Sequence, residues 1–286
     1  MRFGLMTPVV YQPPGQANQW EEHGDVADIV AIAREADALG YHHLTCSEHI
    51  VVPAVAAVRR GATYWDPLAT LAFLAAETGQ IRLATHVLVL GYHHPLAITK
   101  RYGTLDRLSK GRLILGLGVG TLREEFDLLG AAFTDRGARA DDAIAALRAS
   151  WGQPVPEYHG AYFDYAGLVV DPNSPRPDVP IWIGGSTARS LRRAVELGDG
   201  WVPFGLTPHA LHEMLATAKV PAAFDVVIEC PRLDPRGQPG QTRSEVNARF
   251  AAGATIVNVA FSHNSAQDCV EQMRSFKTLF PEALWS

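Results

Sequence analysis

The chain has 286 residues, of which 47% are hydrophobic and 19% charged, and it carries a formal net charge of −5. This composition excludes a disordered or fibrous chain, and the length is one that a single hydrophobic core can still serve. The charge excludes a strongly basic nucleic-acid or anionic-membrane binder, since no uninterrupted basic run is longer than a pair such as Arg59-Arg60.

Short apolar, β-branched runs alternate with longer segments of helical period, the pattern of a parallel sheet with crossover helices. The first predicted strand, Arg2–Met6, runs into Thr7-Pro8, too short an apolar run for a secretory signal. A helix over Val26–Ala38 closes near Gly40, and a strand follows at His43–Cys46. Next come a helix at Pro67–Glu77, a strand at Ile81–Val89, and a helix at Leu96–Leu108 capped by His94-Pro95. The fourth strand, Arg112–Gly116, opens the longest connection, 121–180. That connection holds a helix (Ala138–Trp151), a hairpin (Tyr158–Tyr165) and a Pro-rich loop (Asp171–Pro180), and it is expected to form a lid or substrate wall. Strands at Ile181–Ile183, Gly200–Val202, Ala223–Ile228 and Ala254–Val259 complete the set, with helices at Thr187–Leu197, Ser244–Ala252 and Ala266–Phe280. The first of these three helices is expected to close on Gly198.

Eight strands alternating with helices predict a (β/α)8 TIM barrel, one domain over 1–286 with 121–180 as an insertion within it. An open doubly wound sheet fits less well, because its Gly-rich turn follows the first strand, and here the glycines follow the fourth. No segment approaches the ~20 apolar residues of a membrane span. Cys46, Cys230 and Cys269 are odd in number and far apart, which predicts free thiols in a reducing, cytoplasmic setting.

In such a barrel the chemistry gathers on the loops that leave the strands' C-terminal ends. After the second strand stand Glu48 and His49, a pair able to transfer a proton or bind a polar ring edge; a chance pairing in a surface loop is the alternative. After the third come Thr85, His86 and Val87, then His93 and His94, without the carboxylate or cysteine spacing of a metal site. Gly116, Gly118 and Gly120 clear one face of the fourth strand's end, so a flat ring or phosphate could approach the backbone around Val119; tight barrel packing asks for the same glycines. Gly184, Gly185 and Ser186 open a helix, an arrangement suited either to a phosphate or simply to a well-capped helix. Trp201 and Phe204 could supply an apolar wall, and Glu124 is a second proton-transfer candidate. Cys230 has no base near it in sequence and reads as a buried thiol. No nucleophile elbow, zincin motif, Walker loop or CxxC occurs.

In this order the motifs resemble the luciferase-like monooxygenase superfamily, and within it the coenzyme F420-dependent oxidoreductases. The most specific stretches are Leu105–Arg112 leading into Gly116–Gly120, Ile181–Ser186, and Leu197–Trp201. The resemblance implies a deazaflavin, or FMN in sibling branches, at the barrel mouth, with His49 near the ring and a non-prolyl cis peptide at His86-Val87. It implies that Thr85, His86, Val87, Gly118–Gly120 and Gly184–Ser186 contact the cofactor, and that dimers acting on small molecules are common. His86 stands where relatives usually have Gly, Gly91 where Pro is common, and Thr121 where the sugar-phosphate branch has a catalytic Glu, which argues against sugar-phosphate oxidation. The expected chemistry is hydride transfer between the deazaflavin and a small organic substrate. The Arg- and Ala-rich, Lys-poor composition is that of a GC-rich bacterium, which favours the deazaflavin. An FMN-dependent monooxygenase and a non-catalytic flavin- or ligand-binding barrel are the alternatives.

Overall fold

The computed structural model describes residues 1–15 and 17–285. Among these, eight parallel strands form the barrel: β1 (Arg2–Leu5), β2 (His43–Cys46), β3 (Arg82–Thr85), β4 (Leu113–Gly118), β5 (Ile181–Gly184), β6 (Gly200–Val202), β7 (Asp225–Glu229) and β8 (Ile256–Val259). Closure is made on one side by β1 against β8, with Arg2 opposite Ile256, and on the other by β3 against β4, with Leu83 opposite Leu113. The barrel and its alternating helices follow the sequence expectation.

Side chains on a strand alternate faces, so every strand serves two cores. Ala84, Ile114, Trp182, Val202, Val227 and Ile256 pack together inside the barrel. Their neighbours Leu83, Leu115, Ile183, Trp201, Val226 and Val257 face the helices. The interior also holds polar groups: His43 and Asn258 fill the space beside Gly4, where a Cβ would collide with both.

The helices start and stop where the capping residues direct. Asp25 accepts the backbone N–H of Ala27 and Asp28 to open Val26–Leu39, which ends at Gly40 with φ 82°. His94 accepts the N–H of Leu96 at 3.1 Å, and Pro95 takes the first helical position of Pro95–Leu108. Gly198 departs from expectation: its backbone is extended, because the chain turns directly into β6 with the Asp199 N–H donating to Ile181 O. Helices at Ala54–Arg60, Arg123–Leu128 and Pro208–Ala216 were not legible as periodic runs. The first two are under two turns long, too short to display a period.

The third predicted strand is two pieces. Residues Arg82–Thr85 form β3, the His86-Val87 peptide is cis, and Leu88–Val89 then pairs with the end of β4, Leu88 opposite Leu117. Beyond β4, the connection is clamped to the barrel's flank. Asp142 on the helix Arg136–Ser150 accepts the Tyr158 hydroxyl at 2.7 Å and the N–H groups of Ala161, Tyr162 and Phe163. The Tyr158–Tyr165 hairpin is thereby held against that helix, and none of its residues lines the barrel mouth, so the expected lid is not formed by it. The Asp171–Pro180 loop descends to the opposite end of the barrel, where Arg176 donates to the buried Asp106 carboxylate at 3.0 Å and to Leu113 O at 2.9 Å.

Asp106 and Arg112 account for the Leu105–Arg112 motif. The Arg112 guanidinium donates to Ser109 O, Thr78 Oγ1, Ile81 O and Ala75 O, tying the entry of β4 to the end of the helix Pro67–Glu77 and to the entry of β3. The most family-specific run of the sequence is therefore architectural and lies away from the mouth.

Candidate active site

At the C-terminal ends of β2 to β5 lies a cleft of about 390 Å³. His86, Val87, Gly118–Gly120, Gly184, Gly185 and Phe204 line it together with Glu48 and His49. The glycines have the packing cause that the sequence left open beside a ligand-binding one. A Cβ on Gly118 would lie 2.7 Å from Val87 Cγ2, and one on Gly184 would lie 2.9 Å from Phe204 Cε2. Gly120, at φ +76°, backs onto the Phe126 ring. These positions are small so that Val87, Phe204 and Phe126 can seat on the strand ends, and the cleft wall is correspondingly apolar.

Two carboxylate–imidazole pairs frame the cleft, and they are crossed relative to the sequence. Glu48 does not meet its neighbour His49: its Oε2 accepts the Val89 N–H at 2.6 Å and its Oε1 lies 2.7 Å from His93 Nε2. His49 Nδ1 instead lies 2.6 Å from Oε2 of Glu125. Glu125 is fully buried and also accepts the Tyr92 hydroxyl at 2.7 Å and the N–H of Ile50 at 2.7 Å and Val51 at 3.2 Å. Burial alone would push Glu125 up, yet the bonds from His49, Tyr92 and Val51 hold its carboxyl below the ordinary range. An ionised carboxylate only accepts, so Nδ1 of His49 donates to it, and Nε2 has no hydrogen-bond partner among the described residues. The imidazole ring is held edge-on against Tyr64, with centroids 4.6 Å apart.

Several predicted site residues lie elsewhere. Glu124 is exposed on the short helix Arg123–Leu128 and lines neither mouth cavity; its neighbour Glu125 is the inward carboxylate. Helical phase explains this, because buried Leu122 and Phe126 lie three back from and one ahead of Glu125, whereas Glu124 falls on the outer face. Trp201 is fully buried in the helix-facing core and is not a substrate wall; adjacent Val202 takes the inward face. The Trp201 indole donates to Gly185 O at 2.8 Å, so it supports the loop after β5 from behind. Thr85 is buried, its hydroxyl donating to Gly116 O at 2.7 Å, and it does not reach the cleft. Ser186 is exposed and does not cap the helix Ala188–Leu197; Thr187 does, accepting the Ser190 N–H.

Glu229, at the top of β7, escaped the sequence reading as a site residue. Inward period-2 phase from Val227 was the signal that could have found it. Burial pushes its carboxyl up to about 7. Its Oε1 is 3.8 Å from Nε2 of His86, which burial pulls down to about 4. At that separation the two do not hydrogen-bond, and burial favours the neutral form of each. A second cavity of about 400 Å³ adjoins the cleft and shares Tyr11, Pro13, Ser47 and Glu229 with it. Among the described residues no cluster of three or more metal-ligating side chains occurs, and no helix is long and apolar enough to cross a membrane. Cys46, Cys230 and Cys269 are free and buried, and burial pushes the Cys230 thiol up to about 12.

A closed β/α barrel with its polar cluster at the strands' C-terminal ends is the layout of a cofactor- or substrate-binding enzyme site. The model of the luciferase-like monooxygenase family matches residues 1–231, and the chain belongs to that family. Its members are mostly oxidoreductases and monooxygenases. An uncharacterised protein of Mycobacterium tuberculosis is 28% identical over 207 residues, which cover 68% of this chain and 71% of the relative. An F420-dependent secondary alcohol dehydrogenase, solved with an F420-acetone adduct, superposes with a TM-score of 0.75 at 15% identity over 98% of each chain. The oxygenating constituent of 3,6-diketocamphane monooxygenase from Pseudomonas putida, solved with FMN, superposes at 0.74 with 16% identity over 100% of this chain and 99% of that one. At these identities the two superpositions establish the shared fold.

Proposed function

We propose that the protein is a coenzyme F420-dependent oxidoreductase acting on a small organic substrate, with the deazaflavin in the cleft between His49 and Gly184. The carrying observation is the His49–Glu125 pair, which leaves Nε2 of a cleft-lining imidazole without a hydrogen-bond partner among the described residues, in a cleft walled by Val87, Val89 and Phe204. Those walls suit the faces of a flat heteroaromatic ring, and Ser47, His49 and Glu229 suit its polar edges. Arg59 and Arg60 also line the cleft, and Arg60 Nη2 makes its side-chain bond to Thr121 Oγ1 at 3.3 Å, without a carboxylate partner among the described residues. Two such cations favour a cofactor with a polyanionic tail, as the deazaflavin has.

When bound, the deazaflavin gives or takes hydride. The protein's part is to orient, to exclude water and to move the accompanying proton. His49 Nε2 is the atom that takes or returns that proton, with Glu125 fixing the tautomer and steadying the charged ring. Glu48 holds His93 and the Val89 backbone, and so acts as a positioning residue for the cleft wall.

The test is equilibrium binding of F420 and, separately, of FMN by fluorescence, followed by a substrate screen with the preferred cofactor. Tight binding of F420 alone supports the reading, while preference for FMN transfers the protein to the oxygen-using branch. Binding of neither refutes both and leaves a ligand-binding barrel without turnover. In the active pairing, His49→Ala should lower turnover by about 10²–10⁴-fold, more than the ~1.5–3 kcal/mol of stability lost when Glu125 gives up one of its four donors. Equal losses in both would remove His49 from the chemistry.

A further inference from the structure

The cavity beside the cleft carries a charge arrangement that the cofactor does not explain. It lies between the loop after β1 and the loops after β7 and β8, with Pro8, Val10 and Phe261 among its apolar walls. Arg232 enters it half-buried. Its guanidinium makes one side-chain hydrogen bond, Nη1 to Asn18 Oδ1 at 2.9 Å, and among the described residues no carboxylate lies within ion-pair distance. Burial pulls its pKa down, but a guanidinium remains charged at any physiological pH.

Glu21 acts on that charge through space but makes no ion pair with it. Glu21, which also lines the cavity, has both oxygens engaged: Oε1 accepts from the N–H and the amide of Asn18, and Oε2 accepts from the Val9 N–H at 2.9 Å. Glu229, on the boundary with the cofactor cleft, is held toward its neutral form by burial. His263 adds no positive charge, because its Nδ1 accepts the Trp20 indole N–H at 2.8 Å and burial pulls the ring down to about 4. The Asn18 amide is fixed by Glu21 and by the His263 N–H, so Arg232 is anchored at Nη1, and its Nε and Nη2 donors are unused among the described residues. A planar fork with two free N–H directions matches a carboxylate, and leaving it unmatched in a partly dry cavity is costly.

We propose that this cavity is the substrate site and that it takes a small monocarboxylate with an apolar body, the carboxylate seated on the free edge of Arg232. The name "substrate" rests on the cofactor reading above; the anion site itself does not. The ligand's apolar body would lie along Pro8, Val10 and Phe261, pointing its other end toward Glu229 and the cleft.

Isothermal titration of the cofactor-free protein with phenylacetate and hexanoate, against phenylacetamide and hexanamide, tests the assignment. At least one carboxylate should bind about tenfold or more tighter than its amide, and Arg232→Gln should abolish that difference. Arg232→Lys keeps a charge without the fork and should retain only part of the preference, which guards against a folding defect in the first variant. Equal affinity of carboxylate and amide, binding of neither pair, or a preference that survives Arg232→Gln would overturn the proposal. So would competition between carboxylate and F420, because it would give Arg232 to the cofactor's own tail. Titrating F420 in the same preparations separates the two readings. Carboxylate binding without F420 binding sinks the cofactor assignment alone, and F420 binding without carboxylate selectivity sinks this one alone.

Discussion

Replacing Glu125 in two ways should separate its structural duty from its effect on His49. The carboxylate receives His49 Nδ1, the Tyr92 hydroxyl and the N–H groups of Ile50 and Val51, at 2.6, 2.7, 2.7 and 3.2 Å. Hydrogen bonds to a charged group contribute ~1.5–3 kcal/mol each, but they are not additive. Ile50 is 47% exposed, so water can reach part of the loop once the carboxylate is gone. Glu125→Ala should therefore cost roughly 3–5 kcal/mol, the usual range for breaking a buried charged pair. At ~2–4 °C per kcal/mol that is a fall in Tm of roughly 6–20 °C. Glu125→Gln keeps one oxygen for the Ile50 and Val51 N–H groups and offers an amide N–H₂ to His49 and Tyr92. Both can accept it, His49 by moving its proton from Nδ1 to Nε2, so the loss of stability should stay within ~1–2 kcal/mol. The free ring nitrogen then changes from acceptor to donor, and turnover should fall about 10²–10⁴-fold. Thermal unfolding by circular dichroism reads the first effect. Nitrogen-15 NMR of labelled histidine reads the tautomer directly, without any substrate. If the Gln variant unfolds as early as the Ala variant, or if His49 keeps its proton on Nδ1, the positioning argument for Glu125 is wrong.

Two further outcomes follow from the barrel interior. A Cβ on Gly116 would run into the Thr85 backbone oxygen, which cannot swing aside, whereas one on Gly118 meets only the end of the Val87 side chain. Gly116→Ala should accordingly fail to fold or lose about 4 kcal/mol or more, and Gly118→Ala should cost about 1–3 kcal/mol. Urea midpoints that rank the two the other way would contradict the registry of β3 and β4. Acid should also loosen the fold. Burial holds His42 and His86 neutral down to about 3 and about 4, while an unfolded imidazole takes its proton near ~6.5. The unfolded chain then binds more protons, so stability is complete above about pH 6.5 and declines as the pH falls toward 4. A urea midpoint unchanged between pH 7.5 and 4.5 would count against a neutral buried histidine pair.

Alternation of apolar runs, the caps at Gly40 and His94, and the glycines around the fourth strand were enough to read the barrel in the sequence, because each is a local rule of period or backbone conformation. Local rules also brought His49, His86, Val87, Gly118 and Gly184 to the strands' C-terminal ends, where the cleft lies. What the sequence could not decide was pairing across strands. Glu48 and His49 are adjacent, yet β-loop geometry points them to different partners, and each finds its mate from another connection, His93 and Glu125. Trp201 and Thr85 failed as cleft residues for a related reason: a one-residue change of phase on a strand turns a side chain from the barrel interior to the helical layer. Strand phase could have placed Glu229, but nothing in the identities of Arg232's neighbours reveals that no ion-pair partner reaches it. Only the closed barrel, by bringing Glu21 and Asn18 from one end of the chain against Arg232 and His263 from the other, decides which charges are answered and which are left facing the cavity.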